Sequence, residues 1–105
     1  MIMQKEIVQQ YLKTMCAGRK RASSSDRIEQ ELKISGNELR KNVNRLRRKG
    51  IPIASGDAGY FYAENAGEIY STIRQLQKMR SGLDAAIRGL ESSLERFGEP
   101  GGDTT

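Results

Sequence analysis

The sequence predicts a mostly α-helical chain with one small β-hairpin and a long C-terminal helix. Three observations carry that expectation. Apolar residues recur at spacings of three and four through the helical segments of residues 3–49. Two short runs, "IPIAS" and "YFYAE", flank the turn signal "GDAG". From Ala66 to Phe97 the spacing alternates between three and four without a break.

The first helix is expected at about residues 3–16. Met3, Ile7, Val8, Tyr11, Leu12, Met15 and Cys16 would form its inward face, and Gly18 its stop. Cys16 on that face reads as a small core residue rather than a reactive thiol. The loop "GRKRASSS" follows, with Arg19, Lys20 and Arg21 in succession. Ser24 or Ser25 can cap a short helix at about 25–33, whose inner side carries Ile28 and Leu32.

A third helix is predicted over 36–49. Ser35 and Glu38 stand three apart, as a capping box requires, and Gly50 supplies the stop. Leu39, Val43 and Leu46 make one narrow apolar stripe. At about 100° per residue, the opposite face holds Asn37, Lys41, Asn44 and Arg48, with Arg40, Arg45 and Arg47 on the flanks. In the hairpin, Pro52 lacks an amide donor and suits an edge strand. Tyr60, Phe61 and Tyr62 read as packing of the hairpin on the core.

The long helix, about 65–97, carries a heptad with Ala66, Ile73, Arg80, Ile87 and Leu94 at a, and Ile69, Leu76, Leu83, Leu90 and Phe97 at d. At about 1.5 Å per residue it would reach roughly 50 Å, too far to bury its whole stripe on a body of residues 1–63. A partner is therefore expected. Ile at a with Leu at d favours a parallel dimer, and Arg80 would set its register, shielded by Asp84. The uncharged g positions Thr72, Met79, Ala86 and Ser93 leave an antiparallel pair or a higher bundle open. Residues 98–105 are Gly/Pro-rich and expected to be disordered.

Charge is unevenly distributed. Residues 1–63 carry 13 Lys/Arg against 6 Asp/Glu, whereas residues 64–105 carry 5 against 7. A basic first part makes nucleic acid a candidate partner. With no histidine and one cysteine, His-based acid/base chemistry and Cys/His zinc sites are excluded, and no phosphate-loop pattern occurs. No cofactor and no metal are expected, and the reading is non-enzymatic. No run of apolar residues is long enough to span a membrane. The charged start "MIMQKEIVQQ" lacks the apolar block of a secretion signal, so a cytoplasmic protein is expected.

Helix, helix, turn, basic helix, hairpin is the order of a winged helix-turn-helix. The residues extend the likeness. "IEQELKISGNELRKNVNRLRRKGIPIASGDAGYFYAE" resembles the N-terminal DNA-binding domain of the biotin operon repressor and its wider winged-helix group. The features that match are the short helix ending in Leu, the Ile-Ser that follows it, the "LRRKGIPI" exit and the Gly-Tyr closing the wing. The resemblance covers about residues 23–63, or 1–63 with the first helix. The group's ligase activity does not carry over, because its catalytic domain is absent.

The resemblance implies a DNA-binding domain at 1–63 whose recognition helix runs from Gly36 to Lys49, followed by an oligomerisation helix at 64–97. Asn37 and Asn44 can pair with adenine, and Arg40, Lys41, Arg45 and Arg48 can reach guanine edges or phosphates. Arg19, Lys20, Arg21, Ser23, Ser24, Ser25 and Arg27 lie around the start of the second helix, a usual place for phosphate contacts, and Ser35 opens the recognition helix. A solvated charged face would account for the charge alone; the order of the elements favours contact. The wing tip "SGDAGY" offers an Asp and no cation, so that either wing contact is weak or it comes from Ser55, Tyr60 or backbone amides.

The expected function is sequence-specific binding of double-stranded DNA by a homodimer acting as a transcriptional regulator, in a bacterial cell or a phage-infected host. The oligomer would form through Ile69, Ile73, Leu76, Arg80, Leu83, Ile87, Leu90 and Leu94. A phage or mobile-element factor for replication, recombination or packaging is one alternative. A winged-helix protein-interaction module that binds no DNA is another.

Overall fold

The computed structural model describes residues 2–98, so residues 99–105 of the expected disordered tail lie outside the described part. The elements in chain order are α1 (Gln4–Met15), a 3-10 turn (Arg19–Arg21), α2 (Ser25–Leu32), α3 (Gly36–Arg48), β1 (Ile53–Gly56), β2 (Gly59–Tyr62), α4 (Ala66–Ser93) and a last 3-10 turn (Leu94–Arg96). The chain is mostly helical, with a small antiparallel hairpin and a long C-terminal helix, as the sequence predicts. Two compact units are present, one ending at Thr72 and one starting at Ile73. The first two turns of α4 therefore belong to the first unit.

The core of the first unit gathers Val8, Leu12, Cys16, Ile28, Leu39, Val43, Leu46, Ile53, Ala54 and Phe61. α1 contributes a narrower face than its spacing suggests. Met3, Ile7 and Met15 are 57%, 42% and 59% exposed, which corrects their assignment to the core. Mainly α3 and β2 cover α1, and together they are wide enough for Val8, Leu12 and Cys16 but not for the neighbouring row. Of that row only Tyr11 packs on the core, half-buried. Burial also pushes the Tyr11 phenol and the Cys16 thiol above their ordinary pKa values, so Cys16 stays a protonated core side chain.

Local chemistry explains the helix ends. Ser24 Oγ accepts the Arg27 amide at 3.2 Å, so Ser24 rather than Ser25 caps α2. Ser25 instead donates its hydroxyl to Glu29 Oε2 at 2.7 Å. At the other end Lys33 turns left-handed (φ 56°, ψ 48°), and the Ile34 amide returns to the Glu29 carbonyl at 3.1 Å. That bond is the long closure of a Schellman motif, a place that glycine usually takes. The capping box forms as expected: Ser35 N–H donates to Glu38 Oε1 at 2.9 Å, and Glu38 N–H donates to Ser35 Oγ at 3.1 Å. Leu39, Val43 and Leu46 face the core, joined by Asn42, which is 3% exposed.

β1 and β2 pair antiparallel with Ile53 opposite Tyr62 and Ala54 opposite Phe61. Asp57 and Ala58 form the two-residue turn. Strand alternation buries Phe61 fully and leaves Tyr60 and Tyr62 half-buried. The second edge of β2 is also bonded. Ser23 and Tyr60 exchange backbone bonds of 3.0 and 2.9 Å, and Tyr62 bonds Gly18 and Cys16 at 2.8 Å each. The segment between α1 and α2 thus flanks the hairpin, which period-two patterning over two residues could not reveal. Gly59 sits at this approach with φ +122°, and a Cβ there would overlap the Ser23 backbone.

The root of α4 is fastened to the first unit. Asn65 Oδ1 accepts the Glu68 amide at 3.0 Å, capping the helix. The Glu68 carboxylate accepts the Arg19 amide at 3.0 Å and the Glu64 amide at 2.7 Å. Thr72, 5% exposed, accepts the Ser55 amide at its hydroxyl at 3.1 Å.

In the second unit, α4 continues to Ser93 and tightens to 3-10 at Leu94–Arg96, instead of running α-helical to Phe97. Ser93 Oγ donates to the Leu90 carbonyl at 2.6 Å at this change, a local bond that competes with the helix. The 28 residues of α4 span about 42 Å at about 1.5 Å each, shorter than the sequence suggests. Among the described residues no helix is long and apolar enough to cross a membrane, and no cluster of metal-ligating side chains occurs.

Candidate nucleic-acid interface

α3 presents four chemically different faces. The inner stripe is core. The flank toward the hairpin carries Arg40 and Arg47, and the flank toward α1 carries Glu38, Asn42, Arg45 and Lys49. The outer row is Asn37, Lys41, Asn44 and Arg48, all exposed. Each flank is tied to a neighbouring element, so the outer row is held in a set orientation.

The tie on the α1 side runs through Asn42. Its side-chain amide donates to Gln4 Oε1 at 2.6 Å and to the Glu38 carbonyl at 2.8 Å. Gln4 Nε2 in turn donates to Glu38 Oε2 at 3.4 Å. The tie on the hairpin side is Arg47. Its Nε donates to the Ile53 carbonyl at 2.8 Å and its Nη2 to Ser55 Oγ at 3.2 Å. Burial lowers the pKa of this guanidinium. Sequence spacing places Arg47 only on a flank; the hairpin fold makes it a structural anchor.

The residues singled out by sequence separate into three groups. Asn37, Arg40, Lys41, Asn44, Arg45 and Arg48 are exposed together on one helix. Within that group Arg40 Nη2 donates to Asn37 Oδ1 at 2.9 Å, which pre-orients both side chains. Ser35 and Ser24 spend a lone pair on their own helix ends, and Ser25 binds Glu29; their first role is structural, and Ser23, buried where its backbone pairs with Tyr60, leaves the set of phosphate contacts. Lys20, Arg21 and Arg27 are exposed around the start of α2. Arg19 is exposed with them, and its guanidinium lies 5.5 Å from the Phe61 ring centroid, a cation–π distance.

Unpaired charge is the electrostatic signature of this surface. Among the described residues the one ion pair is Arg27–Glu31, at 3.9 Å with both side chains at least half exposed. Such a pair contributes little. Three carboxylates of this unit are taken up by neighbouring donors: Glu29 by the Ser25 hydroxyl, Glu38 and Glu68 by backbone amides. Ser35 N–H, with help from Gln4, holds Glu38 below the usual carboxylate range. The amides of Glu64 and Arg19 do the same for Glu68. Apart from Arg47, the cations of α3 face solvent outside any ion pair.

At the hairpin tip Asp57 and Ala58 are exposed; the tip itself carries no Lys or Arg, but the Arg19 guanidinium lies beside Gly56, where an added Cβ would come within 3.5 Å of its Nη1. Along α4 the expected oligomerisation residues are exposed: Ile69 39%, Ile73 41%, Leu76 39%, Leu83 66%, Ile87 53%, Leu90 70% and Leu94 38%. Arg80 is exposed as well, without an ion pair to Asp84.

Comparison with protein-family models, with curated proteins and with solved structures finds no match in any of the three.

Proposed function

We propose that this protein binds double-stranded DNA in a sequence-specific manner as a winged helix-turn-helix protein, without catalysis, and acts as a dimeric transcriptional regulator. The observation that carries the reading is the outer row of α3: Asn37, Lys41, Asn44 and Arg48, exposed and outside any ion pair on a helix braced from both sides. A braced helix of about 20 Å matches the major groove, where paired amide and guanidinium donors distinguish adenine and guanine. The order of α2, α3 and the hairpin supports the winged reading, and the exposed Lys20, Arg21 and Arg27 suit phosphates beside it. The acidic tip leaves the hairpin as a brace for α3 rather than a gripping wing.

The continuous apolar stripe of α4 supports self-association. Two copies would set two recognition helices on two half-sites. The experiment is selection from a random duplex pool, followed by anisotropy titration of the selected site against a scrambled duplex. Arg40→Ala and Asn44→Ala are each expected to cost roughly 1–3 kcal/mol on the selected site and to relax its preference. If no sequence is enriched and both variants match the parent protein, the reading fails.

A further inference from the structure

Charge is unevenly placed along the free part of α4. Residues 73–80 carry Arg74, Lys78 and Arg80 and no acid, whereas residues 81–97 carry Asp84, Glu91 and Glu95 against Arg88 and Arg96. The apolar row between them, Ile73, Leu76, Leu83, Ile87 and Leu90, is exposed in the single chain. Arg80 interrupts that row. Among the described residues it makes no ion pair, although Asp84 stands one turn further on. On the single helix, the guanidinium in the seam therefore goes without a carboxylate.

A second copy of α4 answers this pattern, and Arg80 decides its direction. In a parallel pair Arg80 would face the partner's Arg80 in one layer of the seam. Two guanidiniums would share an apolar layer, and the adjoining Met79 offers them no acid. The two basic halves would also lie side by side. In an antiparallel pair the basic half of each copy meets the acidic half of the other. With the twofold axis between Ser81 and Gly82, Ile73 packs on the partner's Leu90, Leu76 on the partner's Ile87, and Arg80 on the partner's Leu83. The next residue is the partner's Asp84, which comes beside the Arg80 guanidinium, and the axis repeats the pair. On one flank the long Met79 falls opposite the partner's Ala86, a small side chain. A slide of seven residues destroys the match: one way Asp84 meets the partner's Asp84, and the other way Arg80 meets the partner's Gln77.

We infer that α4 pairs antiparallel with α4 of a second copy, each Arg80 being neutralised by the partner's Asp84. The inference rests on the self-association proposed above and gives it a direction and a register.

Distances between nitroxide labels, measured by pulsed electron resonance on the full chain, read the direction. Ala85→Cys and Ser92→Cys are labelled in separate samples. Both positions are exposed and seven residues apart, so they share one face of α4. Cys16 is 1% exposed and takes no label. At about 1.5 Å per residue, the antiparallel pair offsets the two copies along the axis by about 10 Å at position 85 and about 31 Å at position 92. The label distance at position 92 is therefore expected to exceed that at position 85 by roughly 10 Å. Equal distances mean a parallel pair and overturn the inference.

Asp84→Lys and Glu91→Lys read the register. Sedimentation should show the dimer dissociation constant rising about tenfold or more for Asp84→Lys, and by less than about threefold for Glu91→Lys. The reverse order overturns the Arg80–Asp84 pairing. A parent chain that sediments as a monomer overturns the inference together with the self-association it rests on, whereas a dimer with equal label distances overturns the inference alone.

Discussion

Asn42 donates its side-chain amide to Gln4 Oε1 at 2.6 Å, joining the third helix to the first turn of the first across 38 residues of sequence. A second bond runs from the same amide to the Glu38 carbonyl at 2.8 Å. An amide buried in the stripe of α3 would be costly without these partners. With them it sets the rotation of α3 about its own axis, and so the direction in which Asn37, Lys41, Asn44 and Arg48 point.

Replacing Asn42 by Ala should therefore destabilise the protein by about 1–3 kcal/mol, since the Gln4 carbonyl loses its donor and a gap opens beside Leu39. Urea denaturation followed by circular dichroism measures this. A change below about 0.5 kcal/mol, the ordinary range of surface substitutions, would mean that the Gln4 bond is not formed in solution.

Arg47 and Arg48 are neighbours with opposite expected phenotypes. Arg47→Ala removes the bonds to the Ile53 carbonyl and Ser55 Oγ and should lower stability by roughly 1–3 kcal/mol. Arg48→Ala should leave the denaturation midpoint in place and weaken duplex binding, with a smaller salt slope. Measuring both quantities for both variants separates anchor from contact, and an exchange of the two phenotypes would reverse the assignment of α3's faces.

Gly59 and Lys33 are the backbone counterparts. At Gly59 an added Cβ would overlap the Ser23 backbone at a left-handed φ of +122°, so Gly59→Ala should break the pairing between β2 and the segment after α1. A cost of several kcal/mol, or loss of soluble folded protein, is expected. Lys33→Gly should do the reverse, raising stability by up to about 1 kcal/mol, because glycine takes the left-handed cap without strain. Equal midpoints for the Lys33 variant and the parent would show that another conformation is used there.

Acid should weaken the fold through Glu38 and Glu68. Backbone amides hold both carboxyls below their usual pKa in the folded state. The unfolded chain therefore takes up protons first as pH falls. The stability they supply is complete above the ordinary carboxylate range and is lost as pH drops through the lowered folded values. Glu38→Gln/Glu68→Gln keeps an acceptor oxygen but cannot titrate, so its urea midpoint should fall less steeply between about pH 5 and about pH 2. Parallel curves for variant and parent would exclude these two groups as the source.

Leu83, 66% exposed in the single chain, lies in the middle of the α4 stripe. Leu83→Asp should convert the proposed oligomer to monomer by light scattering and leave the first unit folded, since that unit ends at Thr72. An oligomer that survives would place the contact on another surface, with the exposed Met3 and Ile7 of α1 as the next to substitute.

By itself the sequence determined the local structure. The Ser35–Glu38 box, the stripe of Leu39, Val43 and Leu46, the hairpin about Asp57 and Ala58, and the continuous stripe of α4 all stand where spacing placed them. Each depends on residues within a turn or two of one another, and such neighbours interact whatever the rest of the chain does. The charged outer row of α3 was legible for the same reason.

Tertiary structure decided what lay beyond that range. It left Met3, Ile7 and Met15 outside, because α1 has too few neighbours to cover two rows. It drew Asn42 into the core and Arg47 into the hairpin, because polar side chains on a flank bond whatever backbone or amide packs against them. It bonded Asn42 to Gln4, 38 positions apart, and Glu68 to the Arg19 amide at 3.0 Å. Periodicity along one element says which side chains share a face; only the packing of several elements says what that face meets.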